Sequence, residues 1–406
     1  MPIDLKTSDT STKRSRHCPV CQSSESKFLF RQEFSAFSEG GLLTGYDLVV
    51  CQPCGFAYAN GIPSRKCFDH YYSEMSKYEQ AQRDGELSKI DKLRFSQIAD
   101  LLAPNIRNSA SILDIGCATA GLLAELKRRG FSKLLGLDPS KNCAAVARSL
   151  YGIEVKTLTI NDLPNTKDTF DVVILIGVLE HLPELDSALQ AVKGVLKEGS
   201  LIYVEVPDAS RYQAWFSAPY QFISIEHVNY FSPRSLRNFF ARQGFDGVLT
   251  ERVVRYLGNE SVEPAVAGLF EYNGSVHAQR RDNETGPALL EYLESSRLLE
   301  MSIHERISEL VASQVPVAIW GTGTHTLRLL ETSRLPEVNI VAFLDSNTRY
   351  HGKRIQGREV MPPAAFSNPL ATILISSQVA ESEIIAQIRD SLHWGNRIVC
   401  FYGSKT

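Results

Sequence analysis

An α/β protein is predicted, with two Rossmann-like, doubly wound sheets and a small cysteine-rich module ahead of them. Three features carry this. Ser111–Gly121, SILDIGCATAG, is a buried strand that stops at a glycine-bearing turn and enters a helix. The pattern recurs near the C-terminus as strand Val315–Trp320, turn Gly321-Thr322-Gly323-Thr324-His325-Thr326, helix Leu327–Thr332 and strand Ile340–Leu344, ending in Asp345. Ahead of both stand Cys18-Pro-Val-Cys21 and Cys51-Gln-Pro-Cys54.

A chain of 406 residues exceeds one ordinary core, so two or three domains are expected. With 43% apolar and 22% charged residues the composition is that of a globular protein, and a net charge of −3 speaks against non-specific binding of nucleic acid. The longest apolar run, Val172–Leu179, is far short of the ~20 residues that span a bilayer. The polar N-terminus has no apolar signal segment, so a cytoplasmic location with reduced cysteines is expected.

In chain order, residues 1–16 read as a loose polar tail. Residues 17–68 read as a zinc-binding module. Each C-x-x-C turn presents two thiolates to one ion, so Cys18, Cys21, Cys51 and Cys54 make a closed, structural Zn²⁺ site. A hairpin (Ser26–Phe34, Tyr46–Val50) fills the interval; His17 is a bystander and Cys67 a free core thiol. The aromatic segment Cys67–Glu79 then precedes a helix at Leu87–Leu102, and its Tyr72 and Tyr78 either face the site or pack between domains.

Residues 69–254 form the first Rossmann-like domain. Its strands are Ser111–Ile115, Leu134–Leu137, Glu154–Thr157, Phe170–Ile176 and Leu201–Val206, with an antiparallel strand near Val248–Arg252 completing the sheet. Ligands of such sheets bind outside the carboxyl ends of the strands, which gathers Asp114, Gly116, Ala118, Gly121, Asp138, Asp162, Gly177 and Glu180-His181 around one crevice. An acid at the tip of the second strand, Asp138, suits two ribose hydroxyls. His181 faces the crevice or caps the next helix. Glu226-His227 is a candidate base with a carboxylate to orient it, or a loop anchor. Ser232-Pro233 is an N-cap and N1 pair. Residues 255–312 read as a polar linker and a long amphipathic helix, and 313–406 as the second Rossmann-like domain. There Thr326 replaces the third glycine of G-x-G-x-x-G, which makes NAD a poor fit. His325 points into a cleft or caps its helix.

D-x-G-x-A-x-A-G at Asp114–Gly121, with an acid before the glycine, resembles motif I of class I S-adenosyl-L-methionine (SAM) methyltransferases, with Ala118 and Ala120 at positions usually glycine. Together with C-P-V-C…C-Q-P-C-G, Glu226-His227 and I-W-G-T-G…F-L-D-S-N, the order of domains resembles bacterial sugar C-methyltransferases acting on nucleotide-linked 4-keto-6-deoxy sugars. The resemblance runs from Cys18 to Phe401. It implies SAM as cofactor, a class I methyltransferase fold, Asp162 near the adenine amino group, and a dTDP-, CDP- or GDP-linked sugar as substrate. It further implies His227 as the base at C3, with His181 and a tyrosine at the enolate oxygen. The position two before the Glu-His pair, a tyrosine in those enzymes, is Ser224 here, so Tyr78 or Tyr72 takes that place or the substrate differs. A monomer or homodimer is expected. The alternatives are an O- or N-methyltransferase using the same crevice and a non-catalytic scaffold. A nucleic-acid methyltransferase is disfavoured, since no basic stripe and no N/D-P-P-Y/F motif after the fourth strand are present.

Overall fold

The computed structural model describes residues 15–74, 88–165, 168–256 and 262–402. The chain divides into two compact units. The first comprises Met1–Leu29, Leu48–Tyr212 and His227–Ala288, the second Phe30–Asp47, Gln213–Glu226 and Leu289–Thr406.

Strands β1 (Ser26–Glu33), β2 (Gly45–Cys51) and β3 (Ala57–Asn60) come first, followed by helices α1 (Arg65–Glu74) and α2 (Lys89–Leu102). The described part of the aromatic segment, 67–74, is thus itself helical. The alternation then runs β4 (Ser111–Ile115), α3 (Gly121–Arg128), β5 (Lys133–Leu137), α4 (Lys141–Tyr151), β6 (Val155–Lys156), β7 (Phe170–Ile176), α5 (Leu185–Lys193) and β8 (Leu196–Pro207). After β9 (Asn229–Tyr230) and α6 (Pro233–Arg242), β10 (Phe245–Tyr256) and β11 (Val262–Tyr272) close the sheet. Its order is β10-β11-β8-β7-β4-β5-β6. β4 through β8 are parallel, and β11 runs antiparallel to both its neighbours.

This corrects one expectation: residues 262–272, read as linker, form β11, which runs antiparallel to β8. The antiparallel strand expected near Val248–Arg252 is β10, paired antiparallel with β11 at the sheet edge. The 262–272 segment escapes a periodicity reading because Pro264 and Gly268 interrupt it and polar residues flank it. Gly268 is nonetheless required, since a Cβ there would lie 2.5 Å from the Phe270 ring.

The period-two alternation of a strand sorts the core onto two faces. Ile112, Val172, Ile174 and Leu269 pack with Leu102, Leu122, Leu126 and Ala147 of α2, α3 and α4. Leu113, Ile115, Val173, Leu175 and Val204 pack with Leu189, Val192, Phe239 and Phe240 of α5 and α6. The second core also contains Cys18, Val20, Cys51, Cys54, Phe56 and Tyr58, so the cysteine module is built into this unit. Helix starts follow local chemistry. Ser140 accepts from Cys143 N, and Ser232 accepts from Ser235 N with Pro233 at N1.

Helix α7 (Thr285–Ser313) leads into the second sheet. Here β12 (Val317–Trp320), α8 (Thr324–Thr332), β13 (Ile340–Leu344), β14 (Arg354–Ile355), β15 (Arg358–Met361), β16 (Thr372–Ile375), α9 (Glu381–Ala386) and β17 (Ile398–Cys400) give the order β14-β15-β13-β12-β16-β17. β1 runs from residues of the first unit into residues of the second and β2 runs back, so 30–47 leave the expected 17–68 module. Residues 213–226 also leave the first Rossmann-like domain and belong to the second unit. Within that unit Gln32 donates to Ile223 O (2.7 Å), Tyr46 OH to Ser224 O (2.8 Å) and Phe222 N to Tyr292 OH (3.0 Å). The Arg328 guanidinium lies 3.9 Å from the centre of the Tyr220 ring and pairs with Glu300 at 2.7 Å.

Candidate functional site

The crevice of the first unit is built by the ends of β4, β5 and β7. Asp114 is buried near the end of β4, and Gly116, at φ +73°, turns the chain so that its N–H reaches Leu137 O (2.8 Å). A side chain at Gly116 would meet Val178 Cγ2 at 2.8 Å, so the turn after β4 lies directly against the turn after β7. The Asp138 carboxylate accepts from Ala118 N and Ser140 N, each at 2.9 Å, which fixes the acid at the β5 tip beneath the Gly116 turn. Gly121 opens α3, and Gly177 (φ +66°) opens the turn after β7. Asp162 is engaged locally, one oxygen accepting from Thr159 N (2.7 Å) and Thr159 Oγ1 (2.8 Å).

Ala118 and Ala120 both adopt left-handed backbone, at φ +48° and +63°. Their small size keeps the turn open, but the conformation costs each alanine about 1 kcal/mol that glycine would not lose. Ala120 is fully buried, whereas Ala118 is half-exposed. Ala118→Gly should therefore raise stability by about 1 kcal/mol in urea denaturation. An unchanged or lower midpoint would show that the turn carries no such strain.

Burial, and then the neighbouring Asp138, push the Asp114 carboxyl up to about 8. The folded state thus holds a proton that the unfolded chain, with a carboxyl near 4, has released. Stability is full below pH ~4 and is lost as the pH rises toward 8, by a few kcal/mol at about 1.4 kcal/mol per unit. Thermal scans of the unliganded protein between pH 5 and 8.5 should show this decline, and Asp114→Asn should flatten it. A variant with the wild-type slope would place the titrating group elsewhere.

Next to this crevice the chain assembles two imidazoles. Leu179–His181 is a single 3₁₀ turn. His181 does not cap α5, because Nδ1 meets Tyr72 OH at 2.9 Å. The His181 and His227 rings lie 4.8 Å apart, edge to face. Glu180 completes the group, with one ligand-type atom from each of Glu180, His181 and His227 lying within 4.8 Å of the others. Its carboxylate is buried. Oε1 lies 3.5 Å from Arg255, which also pairs with Glu263, while Oε2 has no hydrogen-bond partner among the described residues. Two imidazoles and a carboxylate are also a donor set for a divalent cation, but a guanidinium 3.5 Å from that carboxylate opposes one.

The Glu-His dipeptide at 180–181 duplicates the one at 226–227. Glu226 ends the segment 213–226 of the second unit, and its N–H reaches Ser224 Oγ at 3.3 Å. Tyr78 lies outside the described residues.

The four cysteines converge as the spacing predicts. Sγ atoms lie 3.5 Å apart for Cys18 and Cys54 and 3.3 Å for Cys21 and Cys51, and all four fall within 4.8 Å of one another. A tetrahedral ion with Zn–S bonds of about 2.3 Å needs edges of about 3.8 Å, so the set fits zinc with small adjustment. Hydrogen bonds from Cys18 and Cys54 hold the Cys51 thiol far below its ordinary value, and the same contacts push the Cys18 and Cys54 thiols up. One negative charge in the cluster thus opposes the next, which a dication relieves.

The second unit contains a cavity of about 450 Å³ at the carboxyl ends of β12, β13 and β16. Asp345 accepts from Thr322 N and Asn347 N, each at 2.8 Å, repeating the Asp138 arrangement. His325 lines the cavity rather than capping α8. Burial, then Arg328, lower its pKa to about 3, and Nε2 meets Tyr402 OH at 2.7 Å. Thr326, at the position of the missing glycine, is buried against Ser376 Oγ (2.8 Å).

A family profile described as a methyltransferase domain matches residues 81–250. The ubiquinone biosynthesis O-methyltransferase of Bradyrhizobium sp. (strain ORS 278) is 30% identical over 162 residues, covering 36% of this chain and 62% of that protein. The enzyme of the same name from Alkalilimnicola ehrlichii is 32% identical over 150 residues, covering 33% and 58%. The chain thus spans about three fifths of the length of these relatives. Among solved structures, the N-methyltransferase NodS from Bradyrhizobium japonicum WM9 in complex with S-adenosyl-L-homocysteine shows 15% identity and a TM-score of 0.37, covering 51% of this chain and 97% of that one. No described helix is long and apolar enough to cross a membrane.

Proposed function

We propose that the chain is a class I SAM-dependent methyltransferase, in keeping with the methyltransferase-domain profile that matches residues 81–250, and that it methylates C3 of a nucleotide-linked 4-keto-6-deoxy sugar. The observation that carries this reading is the pair of imidazoles 4.8 Å apart, backed by a buried carboxylate, where the turn after β7 meets the motif I turn. Bound SAM supplies an electrophilic methyl group on a sulfonium. In this reading Asp138 receives the ribose hydroxyls, and Gly116, Ala118, Gly121 and Gly177 leave room for the cofactor against the backbone. Asp162 lies toward the adenine. Asp114, largely protonated when the site is empty, ionises beside the cationic cofactor.

His227 removes the C3 proton, which the 4-keto group acidifies, and the electron pair passes to O4. His181, held through Nδ1 by Tyr72, donates to the enolate oxygen. Methyl transfer to C3 would come from SAM held in the crevice, and the abstracted proton would stay on His227. Glu180 places a buried carboxylate beside both rings. Zinc held by Cys18, Cys21, Cys51 and Cys54 would be structural, because four thiolates leave no open position. The cavity of the second unit, with Asp345 repeating the geometry of Asp138, supports a substrate that carries a nucleoside.

O-methylation of a hydroxyl by the same pair is the second reading, favoured by the names of the curated relatives. Mass spectrometry with SAM and dTDP-, CDP- and GDP-4-keto-6-deoxy sugars deuterated at C3 separates the two. C-methylation gives a product one methyl heavier that has lost its deuterium. O-methylation keeps the deuterium. If SAM binds and no keto sugar is methylated, the sugar reading fails.

A further inference from the structure

Arg16, expected at the end of a loose tail, is anchored at the heart of the first unit. Its guanidinium donates through Nη1 to Ala59 O (2.9 Å) and Val228 O (3.1 Å), and through Nη2 to Pro183 O (2.7 Å) and Asn229 Oδ1 (3.0 Å). Its own N–H reaches Asn60 Oδ1 at 2.7 Å. Val228 follows His227, and Pro183 follows His181 by two residues. One planar fork therefore grips the backbone beside each imidazole.

The grip is reinforced on both sides. Val228 N donates to Glu180 O (2.8 Å), and Asn229 Nδ2 donates to Leu179 O and Leu182 O, each at 2.7 Å. On the other side, β3 pairs with β9, and Ala59 N donates to Val228 O at 3.0 Å. Arg16 stands two residues before the ligand-type Cys18, so the four-cysteine knuckle fixes the point from which the fork reaches.

We propose that Arg16 is a positioning residue that sets the spacing of the His181 and His227 imidazoles, and that the cysteine module serves the reaction through it. A guanidinium suits this role because its rigid fork meets four acceptors at fixed angles, which an ammonium cannot do. The inference rests on reading the two imidazoles as the acid–base pair. A displacement of about 1 Å in such a pair is enough to lower turnover by about 10²-fold.

The test uses the full chain with histidine labelled by ¹⁵N, in wild type, Arg16→Met and Arg16→Lys. Ring resonances are assigned with His181→Asn and His227→Asn. Zinc content is read by mass spectrometry and S-adenosyl-L-homocysteine affinity by calorimetry. For Arg16→Met, zinc and affinity should match wild type, while the resonances and titration midpoints of both rings move. Arg16→Lys should restore part of the shift. With a 4-keto sugar that is turned over, kcat should fall at least about tenfold with the KM for SAM unchanged. Rings that titrate as in wild type in Arg16→Met overturn the proposal. Loss of zinc in both variants also overturns it, by assigning Arg16 to the stability of the knuckle alone. The ring readout needs no acceptor, so failure of the sugar reading is seen separately in the methylation assay.

Discussion

Replacing His227 by alanine should lower methyl transfer by about 10²–10⁴-fold while leaving SAM affinity within a factor of about two. The asymmetry follows from placement. Asp114 lies in β4, and Gly116, Ala118 and Asp138 follow β4 and β5, whereas His227 precedes β9 and meets the crevice through the His181 ring. Removing its imidazole takes away the proton acceptor and leaves the cofactor turn intact. His181→Ala should cost less, because its proposed role is to stabilise charge on the acceptor rather than to remove the proton. Calorimetry with SAM and single-turnover methylation separate the two readouts. Turnover near wild type in His227→Ala would remove it as the base, and a matched loss of SAM affinity would make it part of the cofactor site.

Wild-type protein purified without chelator should carry one zinc per chain, and Cys54→Ser should lose it together with much of the stability of the first unit. Structural zinc sites of this kind contribute about 10 kcal/mol or more, comparable with the whole stability of a domain. The loss should spread, because Cys54 belongs to the same apolar core as Leu189, Val192 and Phe239. Next to it, Gly55 adopts φ +79° where a Cβ would lie 1.9 Å from Asp282 O, and Asp282 N donates to Cys54 O at 2.8 Å. The Asp282 carboxylate in turn caps the start of α7 through Thr285 N (3.1 Å). Metal analysis and thermal melts of both proteins, with and without chelator, are the measurements. A Cys54→Ser variant that melts with wild type would show that this closely packed core holds without the ion.

Several site features were legible because they are local. Gly116 and Asp138 follow from where strands stop, and the Ser232-Pro233 helix start from adjacent residues. The two C-x-x-C turns follow from their spacing. The partner of His227 was not legible. Glu226 is the acid adjacent to His227 in sequence, and the structure gathers a further carboxylate, Glu180, with both imidazoles. Nothing in the spacing of 180–181 and 226–227 says that the turn after β7 and the entry to β9 converge. Tyr72 had two readings from sequence, and its 2.9 Å contact with His181 selects one of them.

By itself the sequence determined the alternation of strand and helix, the glycine and acid at the first crevice, the four-cysteine cluster and a second unit of related pattern. Each is written in residues within a few turns of one another, where hydrophobic period and backbone preference act directly. Tertiary structure decided that 262–272 is the reversed strand of the first sheet, that 30–47 and 213–226 belong to the second unit, and that Arg16 holds Val228 and Pro183 in one fork. These depend on which strand lies beside which, and on buried carbonyls finding donors far away in the chain. Such pairings are set by the burial of whole faces and the need to satisfy every buried polar group, and no local pattern records them.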